Sequence, residues 1–226
     1  MTSAAFFDVD GTLCDTTIAH YYRYFMFRRL SPFRRRLWYA GFLAKCGYYL
    51  LLDRVNRERL NVVFYRGYAG LPVDEIKAQA EDCERAVSLP RWYDEATACV
   101  ARHREAGCRI VLVTGSLDFI VQPLALRVGG GDILAARLIE VDGRFTGELH
   151  GRPLCGTRKA ELMHEYAART GVDLAASHAY GDSFADLSML EAVGVAHVVN
   201  PDRRLAALAA TRNWPVHRWT VGGAAR

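Results

Sequence analysis

Phe6-Phe7-Asp8-Val9-Asp10-Gly11-Thr12-Leu13, FFDVDGTL, places two carboxylates one residue apart, after an apolar run and before a glycine. The run Ala4 to Phe7 reads as a short buried strand, so the acids fall where the strand ends. Burying a carboxylate is costly unless something nearby offsets its charge. Taken alone, the stretch also suits a strand-to-loop turn in which Asp and Gly serve the backbone. The rest of the chain decides between these readings.

Downstream, residues 17–88 read as helix throughout and are rich in aromatics: TIAHYYRYFMFRRL, SPFRRRLWYAGFLAKCGYYLLLDRV, NRERLNVVFYRGYAG and LPVDEIKAQAEDCERAV. Ser31-Pro32 is a start signal for the second of these helices, and Asn56 for the third. From Pro90 the pattern alternates. Helix PRWYDEATACVARHREAG precedes strand CRIVLVTGS, and helix LDFIVQPLALRVG follows, with Pro123 kinking it or delaying its start. Asp142-Gly143 centres a hairpin. Helix TRKAELMHEYAARTG, strand SHAYGDS, helix FADLSMLEAVG, strand VAHVVN, helix PDRRLAALAATRN and an edge strand in WPVHRW complete the chain. Such alternation predicts an α/β fold with a doubly wound, mainly parallel, Rossmann-like sheet. The helical run interrupts it after the first strand. It is expected to be an inserted all-helical cap over 17–88, on a core built from 1–16 and 89–226.

Ligands of open parallel sheets bind at the carboxyl ends of the strands. There, or at the start of the next helix, the sequence places Asp8 with Asp10, Thr114 with Gly115, Lys159, and Asp182 with Asp186. Asp8 and Asp182 suit a hard divalent cation, and Mg²⁺ is the natural choice. Lys159, Thr114 and the amides near Gly115 suit phosphate oxygens. Asp8 is then placed to attack phosphorus and Asp10 to exchange a proton. Asp186 reads equally as a helix cap, and Ser116 and Ser183 as loop residues near phosphate or as caps. The seven histidines show no pairing and read as structural or surface residues.

DVDGTL (8–13), VTGS (113–116), RK (158–159) and GDSFAD (181–186) resemble, in order and spacing, the four motifs of the haloacid dehalogenase superfamily. The helical insert and the hairpin resemble its phosphoserine-phosphatase-like branch, subfamily IB. The resemblance implies Asp8 as nucleophile and metal ligand. It implies Asp10 as acid/base, ligating through its backbone carbonyl, and Thr114 as the phosphate-binding hydroxyl. Lys159 would steady nucleophile and phosphate, Asp182 would bind Mg²⁺, and Asp186 would orient a metal-bound water or the lysine. Gly11, Thr12, Gly115 and Ser183 would support them. An acid at position 10 implies phosphoester hydrolysis, or phosphate shuttling in a mutase. Phosphoserine phosphatases carry a glutamate where this chain has Thr17, and only Arg66 lies near the place of their substrate-gripping arginine. Histidinol phosphate and lysophosphatidate-like lipids are then further candidate substrates.

The chain has 226 residues and a net charge of +4. Residues 20–70 hold eleven Arg and Lys against Asp53 and Glu58, so that segment is +9 and the remainder −5. This implies a solvated helix face or an anionic partner. The partner is expected to be a small phosphorylated substrate or an anionic membrane surface, not nucleic acid. A fold-retaining, non-enzymatic binding module is the rival reading. The longest apolar run is too short to span a bilayer. Six scattered cysteines without C-x-x-C spacing, and a start unlike a signal peptide, predict reduced thiols in a cytoplasmic monomer or homodimer. The tail VGGAAR is expected to be loose.

Overall fold

The computed structural model describes residues 2–222, the side chains of 53–55 excepted; residues 223–226 of the tail lie outside them. Strand β1 (Ala4–Phe7) is buried at every position, as befits a central strand covered on both faces. The chain then forms α1 (Ile18–Arg29), α2 (Pro32–Val55), α3 (Arg57–Tyr65), α4 (Val73–Lys77) and α5 (Ala80–Cys83). Alternation follows through α6 (Asp94–Glu105), β2 (Arg109–Leu117), α7 (Asp118–Arg127) and β3 (Asp132–Ala136). The hairpin β4 (Leu138–Val141) and β5 (Arg144–Leu149) leads to α8 (Thr157–Thr170) and β6 (His178–Gly181). The last elements are α9 (Leu187–Glu191), β7 (Val195–Val199), α10 (Arg203–Thr211) and β8 (Val216–His217).

Six strands make one sheet in the order β3-β2-β1-β6-β7-β8, and each pairing in it is parallel. Successive strands run outward from β1 on one side and from β6 on the other. The order therefore reverses between β1 and β6, which opens a crevice at their carboxyl ends. Phe7, Leu112, Val100 and Leu124 pack one face of the sheet against α6 and α7. Phe6, Val111, Met163 and Leu205 pack the other against α8 and α10. A third cluster joins Tyr21, Phe25, Phe64 and Tyr68 of the helical segment to Leu117, Ile120 and Phe145. The helical segment thus rests on α7 and the hairpin, over the crevice side of the sheet.

Local signals account for many boundaries. Pro32 opens α2 after Ser31, and Asn56 Oδ1 accepts the Arg59 amide at 2.8 Å to cap α3. Asp202 caps α10 through the Leu205 amide at 2.8 Å. Asp142 and Gly143 both take positive φ, as a two-residue hairpin turn demands.

Four expectations are corrected. The stretch 71–88 is not one helix: α4 and α5 are separated, and a wide π turn spans Glu84–Ser88. The turn carries the buried Glu84 to an ion pair with Arg127 of α7. Pro123 lies inside α7 and does not delay its start. The segment FADLSMLEAVG opens as a 3₁₀ turn, Phe184–Asp186, before α9. Finally, four histidines do meet. His178 Nδ1 lies 3.1 Å from His197 Nε2, and His197 Nδ1 lies 3.2 Å from His217 Nε2. The His103 ring centre is 4.6 Å from that of His178. Positions on three adjacent parallel strands, facing α6, bring them into one row.

Candidate active site

Asp8 follows β1 directly, and its amide donates to Tyr180 O of β6 at 2.9 Å, which fixes it at the crevice. Its carboxylate is only 5% exposed. Lys159, in the first turn of α8 and 4% exposed, donates from Nζ to Asp8 Oδ1 at 2.6 Å and to Asp186 Oδ1 at 2.5 Å. One buried ammonium therefore holds two buried carboxylates. Asp186 also accepts at Oδ2 from the Ser183 amide (3.1 Å) and hydroxyl (3.0 Å). Asp186 does not cap α9, to which its side chain makes no cap bond; it closes the capping box of the 3₁₀ turn before that helix and braces the lysine.

Burial drives the Asp8 carboxyl up to about 7, with Asp186 and Asp10 adding repulsion that Lys159 only partly cancels. Burial, with repulsion from Asp186 and Asp8, pushes Asp182 well above the usual carboxylate range. Burial also opposes charge on Asp186, but the Lys159 charge and hydrogen bond outweigh it and hold that carboxyl low. Lys159 goes up, since two carboxylates overcome its desolvation. We read Asp186–Lys159 as the ion pair proper, and Asp8 with Asp182 as carboxylates short of positive charge.

Oxygens of Asp8, Asp182 and Asp186 lie within 4.8 Å of one another. An all-oxygen, undercompensated set of this kind fits a hard divalent cation. The approach is close by construction. Gly11 takes φ +91°, and a β-carbon there would sit 2.3 Å from Asp182 Oδ2. Thr12 Oγ1 lies 3.5 Å from Asp8 Oδ2 and 3.4 Å from Asp182 Oδ1, between the two acids.

The Asp10 carboxylate turns away from this set. It accepts from Thr16 Oγ1 at 2.7 Å and from Ser116 Oγ at 2.6 Å. Thr114 is buried, and its hydroxyl receives the Ser116 amide at 3.0 Å. Gly115 presents its carbonyl to Tyr65 Oη at 2.6 Å, which ties α3 to the carboxyl end of β2. Asp8, Asp10, Thr114, Gly115, Lys159, Asp182, Ser183 and Asp186 all border one cavity of about 510 Å³, and Gly11 joins them. The helical segment contributes Tyr49, Arg57, Leu60, Asn61 and Phe64 to its lining, and Thr17 also borders it.

Sequence reasoning did not single out Thr16, Tyr65, Arg57 or Asn61, since no spacing rule links them to the four motifs. Arg66, the arginine it considered, is exposed and does not border the cavity. The periodicity of α3 held the signal: Arg57, Leu60, Asn61 and Phe64 recur at three and four residues and share a face.

The family model of haloacid dehalogenase-like hydrolases matches residues 5–191. A phosphoserine phosphatase of Mycobacterium tuberculosis is 33% identical over 225 residues, 98% of this chain and 72% of that protein. A histidinol-phosphatase of Neisseria meningitidis is 26% identical over 238 residues, 96% of this chain and 98% of its own. Among solved structures, a protein of unknown function from Bordetella pertussis superposes with a TM-score of 0.83 at 26% identity, over 96% of this chain and 99% of that one. Four motifs converging on one lysine-bridged carboxylate cluster, and a family match across most of the length, make this chain a member of the haloacid dehalogenase-like hydrolases, and a phosphatase among them.

Proposed function

We propose that the enzyme hydrolyses a small phosphomonoester through an aspartyl-phosphate on Asp8. Asp8 attacks phosphorus, and the bond to the leaving alcohol breaks as Asp10 gives that oxygen a proton. Asp10 then takes a proton from water, which attacks phosphorus, releases phosphate and restores Asp8. The buried Lys159 bridge carries this reading, because it fixes the Asp8 oxygen beside a positive charge on the cavity wall. Thr114 and Gly115 are the phosphate cradle. Mg²⁺ is the cofactor we assign, held by Asp8, Asp182 and the Asp10 carbonyl; when bound it neutralises the acids and the phosphate charge.

We assign residues 17–88 the role of a cap that sets substrate choice and excludes water, over a core of 1–16 and 89–226. Thr17 offers no charge for a substrate ammonium. The wall of Leu60, Phe64 and Tyr49, interrupted by Arg57 and Asn61, suits an organic group larger than a bare alcohol. A histidinol-phosphate-like or phosphoserine-like metabolite in the cytoplasm is the substrate class we favour. A lipid phosphate or a mutase reaction is disfavoured: relatives similar over nearly the whole of this chain include a phosphoserine phosphatase and a histidinol-phosphatase.

The test is phosphate release from p-nitrophenyl phosphate and from a panel of phosphorylated metabolites. Release should need Mg²⁺, stop with EDTA, and fall by at least about 10³-fold in Asp8→Asn, a loss of about 4 kcal/mol of transition-state stabilisation. Undiminished turnover by Asp8→Asn would overturn the assignment.

A further inference from the structure

Helix α2 is apolar on both sides. Inward, Trp38 stacks on Phe42 at 4.8 Å, and Tyr49 meets Phe64 edge-on at 5.5 Å. Outward, Phe33 (78% exposed), Leu37 (71%), Tyr48 (50%) and Leu51 (60%) stand in water, with Ala40 and Ala44 between them. Each follows the last by three or four residues, so they form one stripe about 27 Å long at 1.5 Å per residue. An all-apolar helix is normally covered on every side. Phe42 is the one buried residue of α2 among those described.

The rim of the stripe is basic. Arg34 and Lys45 border one edge at 100° per residue and Arg36 the other; all three are exposed and make no ion pair among the described residues. Beside Arg36 a second cavity, of about 450 Å³, is walled by Arg23, Arg35 and Arg36 with Phe27, Pro32 and Tyr39. Three arginines around one small pit suit an anionic headgroup.

We infer that the outer face of α2 and this arginine pit dock the enzyme on an anionic lipid bilayer. The helix lies in the interface plane, its stripe enters the acyl boundary, and the pit takes a headgroup phosphate. It lies on the bilayer and does not cross it, for no helix among the described residues is long and apolar enough to span one. A second copy of the chain is a poorer occupant. The stripe, about 10 Å wide, offers roughly a third of the about 800 Å² per partner that a stable dimer needs. Residues 20–70 carry +9, so two copies would set like charge against like.

The test is flotation of the full chain with phosphatidylcholine vesicles, with and without phosphatidylglycerol, at low and high salt. Binding should require the anionic lipid and weaken as salt rises. Arg34→Gln with Arg36→Gln should weaken it about 25-fold, at about fivefold per arginine. Phe33→Ser with Leu37→Ser should weaken it comparably. Both doubles should keep full p-nitrophenyl phosphate turnover, which shows that they fold and separates this result from the test of the catalytic reading. Failure to float with anionic vesicles, or equal binding to neutral ones, overturns the inference. So does a dimer by light scattering that Phe33→Ser with Leu37→Ser dissolves while vesicles are ignored.

Discussion

The molecule buries titratable groups in two places and treats them differently. At the β1–β6 crevice, Asp8, Asp182, Asp186 and Lys159 face one another, and the lysine bridges Asp8 and Asp186 and holds the Asp186 carboxyl low. On the sheet face turned to α6, His103, His178, His197 and His217 stand in a row with no carboxylate among their hydrogen-bond partners. Burial there has nothing to oppose it. It lowers all four imidazoles, His103 and His197 to about 4, with neighbouring histidines and Arg102 adding to the shift. Desolvation is common to both sites. An opposite charge in the same pocket decides whether a buried group stays charged or turns neutral.

Removing that opposite charge breaks the contrast most severely. Lys159→Met leaves Asp8 and Asp186 buried without a positive partner and should cost about 3–5 kcal/mol of stability, read by denaturant unfolding near neutral pH. The loss should shrink in mild acid, where the carboxyls take up protons; an unchanged loss would mean that the pairing is not what stabilises them.

A cation should sharpen the contrast next. Without metal, Asp8 and Asp182 have raised pKa values in the folded chain. Their contribution to stability is therefore full below the unfolded value of 3.8 and is lost as pH rises, for Asp8 towards 7. Mg²⁺ binds the ionised acids and should reverse this loss. At 100 times its dissociation constant it adds about 2.7 kcal/mol, or roughly 5–10 °C in Tm. That shift should be large at pH 7.5 and small at pH 5, and equal shifts would count against these acids as ligands.

The histidine row gives the smallest effect and the opposite sign. Its folded pKa values lie below the unfolded 6.5, so the stability it confers is present above that pH and is lost as pH falls towards 4. Between pH 6.5 and 4.5, His197→Gln should lose less Tm than its parent, by roughly 2–4 °C. Comparing the two chains cancels the carboxylate contribution. Parallel melting curves would show that the row does not titrate as a unit.

Much of the crevice was legible because each of its groups sits at a strand end or first helical turn that the alternation of periods announces. Asp8, Lys159 and Asp182 are placed by that rule alone. The hairpin was legible through Asp142-Gly143, whose positive φ values few residue pairs accept. Strand β3 was not, since DILAA is short, half-buried and preceded by three glycines, with no alternation to mark it. Nor was the break at Glu84, whose partner Arg127 lies 43 residues away. The histidine row was illegible for a related reason. Its members meet through the lateral register of β6, β7 and β8, which no single segment encodes. Ser116 and Thr16 hold Asp10 through a similar long-range fit, 106 residues apart for the first and across one loop for the second.

The near-contact of Gly11 with Asp182 bears on how the enzyme tolerates change. Even alanine, the smallest replacement, would set a methyl group 2.3 Å from a carboxylate oxygen on a backbone at φ +91°. The nearest relief is for Asp182 to swing aside, while β1, Lys159 and the two hydrophobic layers stay where they are. Damage at this one position would fall on ion capture and spare the architecture, leaving a well-folded protein that has lost its chemistry.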